Sequence, residues 1–201
     1  MLDKPAGLLA VPGRGADKQD CASTRAQAHW PDALIVHRLD MATSGLLLMA
    51  RGVAMQRRLS MAFESREVHK RYVAVVSGHL DPTAGAWSEI TLPLKSDWPN
   101  RPRQRVDADG KPSQTRWRVL AQESDARGRP RTRLELEPVT GRTHQLRVHL
   151  QAIGHPILGD ALYADEDSLA RSTRLLLHAS ELALTHPITG AALRWRSPPP
   201  F

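Results

Sequence analysis

The segment Arg71–Ser77 most constrains what this chain can fold into. Both of its alternating sets, Tyr72/Ala74/Val76 and Val73/Val75, are almost wholly apolar, which predicts a central strand covered on both faces. Arg131–Val139 alternates strictly instead. Leu134 and Leu136 point one way and Arg133, Glu135 and Glu137 the other, the pattern of a half-exposed antiparallel strand. Further strands are predicted at Leu8–Val11, closed by Pro12-Gly13, and at Ala33–Val36, Leu46–Ala50, Leu175–Leu184 and Leu193–Trp195. Two segments carry helical spacing. From Ala54 to Ser65 the apolar residues are Met55, Leu59, Ala62 and Phe63. In Thr143–Ile153, Leu146, Leu150 and Ile153 share a face, Arg147 lies on its flank, and Gly154 is a natural stop. Strands outnumber helices and do not alternate with them, so the expected class is α+β, a mixed and largely antiparallel sheet flanked by helices.

At 201 residues the chain is long enough for one well-cored domain, and a single domain spanning 1–201 is expected. No apolar run reaches the length of a membrane span and no secretory leader is visible. Cys21 is the single cysteine and has no internal disulfide partner, which fits a reduced, cytoplasmic setting and an inert thiol. The net charge of +7 favours a polyanionic partner, because neutralising phosphates releases counterions. Five Trp, two Tyr and two Phe are too few for an extended base-stacking platform. A few placed side chains in a charged groove are expected to do the recognition. The Pro- and Arg-rich segment Ser96–Pro112 is the longest stretch without periodicity and reads as a surface loop.

The richest chemistry lies between two of the predicted strands, at His37-Arg38-Leu39-Asp40-Met41-Ala42-Thr43-Ser44-Gly45. A carboxylate at the mouth of a core is costly unless something pairs with it. From composition alone the segment is equally a turn in which Asp40, Thr43 and Ser44 bond to local backbone.

His37-Arg38-Leu39-Asp40 with Thr43-Ser44-Gly45 resembles the catalytic motif of the RluA-type pseudouridine synthases. Three more segments resemble the same family in the same order. They are Lys4-Pro5-Ala6-Gly7, Lys70-Arg71-Tyr72-Val73-Ala74, and Gly141-Arg142-Thr143-His144-Gln145-Leu146-Arg147 running on to Gly159-Asp160. The loop from Asp97 to Gln104, with Gly110-Lys111-Pro112, resembles the member that modifies both transfer and ribosomal RNA. The resemblance implies a bent mixed sheet with no N-terminal S4-like module. It implies an isomerase acting on uridines in stem-loops of transfer RNA, including the anticodon stem-loop, and of 23S ribosomal RNA, as a monomer and without cofactor or metal. Asp40 would be the nucleophile, Arg147 its charge partner and Tyr72 the ring that stacks on the target base. Arg38 would hold open the gap left by the extruded uridine. His37, which also suits a structural place, Thr43, Arg142 and His144 complete the RNA-contact set. Arg101, Arg103, Arg105 and Lys111 are phosphate contacts. Relatives usually carry a strand before the Lys-Pro element, where this chain has only Met1-Leu2-Asp3.

Pseudouridine formation detaches uracil from C1′, turns it and rejoins it through C5. A carboxylate nucleophile divides one hard step into two easier ones. Held ionised while partly buried, it needs an opposing fixed charge, and arginine supplies one at any working pH. Attack at C1′, addition to C6 and passage through a glycal all remain open. Two rival readings exist. His144, His149, His155 and Asp160 suggest a metallohydrolase, but His144 and His149 are five apart and diverge by roughly 140° on a helix. A non-catalytic RNA-binding protein explains the charge but not a carboxylate within a positive surface.

Overall fold

The computed structural model describes residues 1–80 and 86–201. The chain forms two compact units. The first comprises Met1–Lys70 and His178–Pro200, the second Arg71–Leu177 with Phe201.

The first unit opens with β1 (Leu2–Lys4), a short strand that runs into the Lys-Pro element. Leu8–Val11 is not a strand: Leu9 makes one isolated bridge to Cys21, and Pro12-Gly13 ends it before a ladder can grow. Cys21 then caps α1 (Ala22–His29), its Sγ accepting from the Thr24 N–H at 3.4 Å. β2 (Ala33–Ile35) precedes the Asp40 segment. The apolar run after it splits into β3 (Ser44–Leu47) and β4 (Met49–Arg51). The split falls at Leu48, whose N–H donates to His37 Nε2 at 2.9 Å instead of to a strand. β3 pairs with β1 and β4 with β2, both antiparallel. α2 (Val53–Glu64) buries Leu59 and Ala62 against Leu46, Leu48, Ala50 and Val68, as its spacing predicts. Leu59→Ala there would cost about 2–5 kcal/mol.

β5 (His69–Ser77) carries the chain into the second unit. Val73–Val76 are all buried, in line with the two-sided apolar pattern. β6 (Ser88–Ile90), β7 (Leu94–Ser96), β8 (Gln104–Val106), β9 (Thr115–Ser124) and β10 (Pro130–Pro138) follow. β5–β10, β10–β9 and β9–β6 are antiparallel neighbours. Leu134 and Leu136 are fully buried while Arg131, Arg133, Glu135 and Glu137 form ion pairs on the other face. The Ser96–Pro112 segment is not irregular: β7 and β8 form a hairpin, which its three prolines and alternating charges conceal. α3 (Gln145–Ala152) starts two residues later than its periodicity suggests, because His144 is left-handed at φ 55. It ends in a Schellman closure, with Gly154 N–H to Gln151 and His155 N–H to Leu150 at 3.0 Å each. A short α4 (Glu166–Ala170), capped by Asp165, ends the unit.

The chain returns to the first unit as β11 (Leu177–Thr185) and β12 (Ala192–Arg196), an antiparallel pair. β11 also pairs with β3, here in parallel, through His178 opposite Ser44 and Ala179 opposite Gly45. Gly45 has φ 109, and a Cβ there would run into the backbone of Ala179. The result is α+β with a mixed, largely antiparallel strand arrangement.

Candidate active site

In the first unit, Asp40 stands in a turn clamped at both ends. Leu39 before it is buried at 4% exposure, and Thr43 and Ser44 after it at 2% and 3%. The Thr43 N–H donates to the Asp40 carbonyl at 3.1 Å and closes the turn. Asp40 itself is half-buried and Arg38 exposed. Leu39, Thr43 and Ser44 thus grip the core, while Arg38 and Met41 are exposed.

Lys4 holds this turn from a third side. It is only 2% exposed, and its ammonium donates to the carbonyls of Pro5 at 2.9 Å, Leu8 at 2.7 Å and Met41 at 3.0 Å. A buried cation is costly unless its protons are used, and three carbonyls use them. Gly7 N–H adds a bond to the same Met41 carbonyl at 2.9 Å. The Lys-Pro-x-Gly element therefore fastens the peptide next to Asp40.

His37 sits behind the turn. Its ring stacks on Phe63 at 4.4 Å, and Nε2 accepts from the Leu48 N–H, so the neutral ring carries its proton on Nδ1. Burial, and then the charge of Lys70, push its pKa down to about 3. In this structure its place is structural.

In the second unit the expected emergence of Arg147 beside the core is corrected. α3 is buried on all sides from Gln145 to Leu150, and Arg147 is 4% exposed. Its guanidinium forks onto Asp160, with Nε 2.8 Å from Oδ2 and Nη2 2.6 Å from Oδ1. Asp160 Oδ1 also accepts the N–H groups of Leu162 and Tyr163 at 2.9 and 3.2 Å. Arg147 further lies 5.1 Å over the Tyr163 ring, whose hydroxyl is 2.6 Å from His144 Nδ1 and accepts from the Gln104 N–H at 2.8 Å. One tyrosine thus links the arginine, the helix cap and the β7–β8 hairpin. Gln145 uses its whole amide: Oε1 accepts from Thr140 and the Arg142 N–H, and Nε2 donates to Gln114 and Thr115. His149 is fully buried between Thr115 Oγ1 and the Leu92 carbonyl, both at 2.9 Å, and burial lowers its pKa. His155 faces the Ser77 carbonyl at 2.8 Å. The four residues of the metal reading thus go to separate partners, and no cluster able to hold a metal ion is present among the described residues.

Tyr72 is half-buried on β5, opposite Leu136 of β10, and its neighbour Arg71 pairs with Glu137 at 2.8 Å. Arg101, Arg103, Arg105 and Lys111 are all exposed on or beside the hairpin, as is Arg142. They differ in what holds them. Arg105 is tied to Asp107 at 2.7 Å, and Arg101 lies 3.9 Å over the Trp98 ring. Lys4, which holds the peptide next to Asp40, and Tyr163, which contacts Arg147, were not singled out by spacing. Lys4 and Asp160 lie inside segments resembling the family's, and Tyr163 lies three residues beyond the last of them.

Residues 1–152 match the family model for RNA pseudouridylate synthase. The chain belongs to this family. The synthase is 47% identical over 202 residues to the dual-specificity RNA pseudouridine synthase RluA of Escherichia coli K12, covering 100% of this chain and 89% of that protein. Over 187 residues it is 50% identical to the protein of the same description from Vibrio parahaemolyticus, covering 92% and 74%. Its fold matches human RNA pseudouridylate synthase domain containing 1 with a TM-score of 0.80 and 29% identity, over 99% of this chain and 79% of that one. The synthase is of RluA type and an isomerase acting on RNA. No helix among its described residues is long and apolar enough to cross a membrane.

Proposed function

We propose that this synthase isomerises uridines in two kinds of RNA, the anticodon stem-loop of transfer RNA and a stem-loop of 23S ribosomal RNA, acting as a monomer in the cytoplasm. The observation that carries the reading is identity of 47% along the whole chain with a relative described as dual-specific. A small footprint that reads loop shape and a few splayed bases accepts any RNA presenting that loop.

Asp40 is the nucleophile in this reading. Arg147, steadied by Asp160, supplies the opposing charge that keeps the carboxylate ionised beside the uridine. Tyr72 stacks on the extruded base, and Arg38 occupies the space it leaves. Thr43 and His37 support this contact from the turn. Arg142 and His144, with Arg101, Arg103, Arg105 and Lys111, meet the phosphates and loop bases.

Both RNAs, offered as isolated oligonucleotide stem-loops at matched salt and enzyme concentration, are expected to be modified. Asp40→Asn should abolish modification of both and leave binding intact. Modification of one RNA alone makes the enzyme single-substrate, and turnover by Asp40→Asn removes the nucleophile assignment.

A further inference from the structure

Ser44 is the buried residue that anchors the Asp40 turn to β3, and its hydroxyl belongs to a chain of polar groups within the first unit. Ser44 Oγ lies 2.9 Å from His178 Nδ1. On the far side of that ring, Nε2 lies 3.1 Å from Ser197 Oγ and 3.2 Å from the Ser197 carbonyl. Ser197 Oγ in turn donates to Asp3 Oδ2 at 2.6 Å. Ser44, His178 and Ser197 are 3%, 2% and 5% exposed.

The directions of these bonds can be assigned. A serine hydroxyl has one proton, and Ser197 gives its proton to a carboxylate that can only accept. Both Ser197 oxygens therefore accept from His178, and Nε2 carries the ring proton. Nδ1 of the neutral ring then accepts from the Ser44 hydroxyl. Each proton points away from Ser44 and toward Asp3. The links join four segments distant in sequence: β1, the end of the Asp40 turn, the start of β11 and the stretch after β12. Packing alone requires none of these groups to be polar. A polar network buried at Ser44, His178 and Ser197, and reaching the surface only at Asp3, instead selects one arrangement of the segments it joins.

We propose that His178, with Ser197 and Asp3, is a positioning residue for catalysis, holding Ser44 and through it the direction in which Asp40 leaves the turn. Thr43 N–H closes the turn, Lys4 holds its Met41 carbonyl and Gly45 lies against Ala179, while the relay holds its Ser44 end. A misplacement of the nucleophile of about 1 Å can cost on the order of a hundredfold in rate. The inference rests on Asp40 as nucleophile.

Single-turnover rates and stem-loop Kd test it. Ser44→Ala and His178→Leu should each slow the chemical step by roughly tenfold or more. Kd should stay within about twofold, since no RNA contact is altered. The double variant should be no slower than the slower single one, because both break the same chain. If His178→Leu does not fold, Ser197→Ala carries the test with a smaller loss in the same direction. A folded Ser44→Ala enzyme with the parent rate overturns the proposal, as do losses that multiply in the double variant. Asp40→Asn separates the two failures: if it is inert while the relay variants run at full rate, the relay is structural and the nucleophile stands.

Discussion

Arg147 shows how a residue singled out from its neighbours in sequence can still be misplaced in its surroundings. Its position in a family-like segment marked it as a charge partner, but helical geometry put it at the edge of the core. It lies inside, forked onto Asp160. Two buried charges form a favourable pair only while both remain, and removing one leaves the other without compensation. Asp160→Asn is accordingly expected to lower the unfolding free energy by about 3 kcal/mol, measured by urea titration. It should also reduce single-turnover rate more than RNA binding, since the guanidinium loses the anchor that aims it. Unchanged stability would mean that the Tyr163 ring and the remaining amide oxygen hold Arg147 without the carboxylate's charge.

Among the elements, the β7–β8 hairpin is the one whose character changed most. Its strands are three residues each, below the length at which alternation can be recognised. Its order comes from pairing and from the Tyr163 hydroxyl, which no local pattern reveals. Exposed basic residues on an ordered hairpin can track a phosphate backbone without paying much entropy on binding. Replacing Arg101, Arg103 and Lys111 together by Ala should weaken stem-loop binding and flatten the log–log dependence of affinity on salt by roughly 2 to 3 charge equivalents. Arg105, already paired with Asp107, should contribute less when changed alone. An unaltered salt slope would move the phosphate contacts elsewhere.

At the scale of the whole molecule, each unit holds a histidine in its neutral form, the half-buried His37 in the first and the buried His149 in the second. Both folded-state pKa values are lowered, chiefly by burial. In the unfolded chain the rings take up protons as pH falls through about 6.5. In the native protein they do so only at lower pH, about 3 for His37. The unfolded state therefore binds more protons in that window, and stability should fall steadily from about pH 6.5 downward while staying level above it for these groups. Protonated His37 would also set two donors against each other at the Leu48 N–H. His37→Gln, which keeps an acceptor for that N–H, should show a shallower loss in urea midpoint between pH 6.5 and 4 than the parent. An identical pH profile for both proteins would assign the acid sensitivity to other groups.

The sequence alone determined what depends on neighbours two to four residues apart. The two-sided apolar run of β5, the alternation of β10, the apolar face of α2 and the glycine stop of α3 follow from side-chain periodicity and backbone sterics, and they appear in the structure where expected. The four family-like segments marked Asp40, Tyr72 and Arg147 in the same way, as ordered local patterns. Only the tertiary structure decided which groups at long range satisfy the buried polar ones. Lys4 closes on the Met41 carbonyl, Ser44 on His178, Ser197 on Asp3 and Arg147 on Asp160. A hydrogen bond is short and directional, so its partner is set by the path of the whole chain. Hydrophobic patterning constrains that path only to which face turns inward.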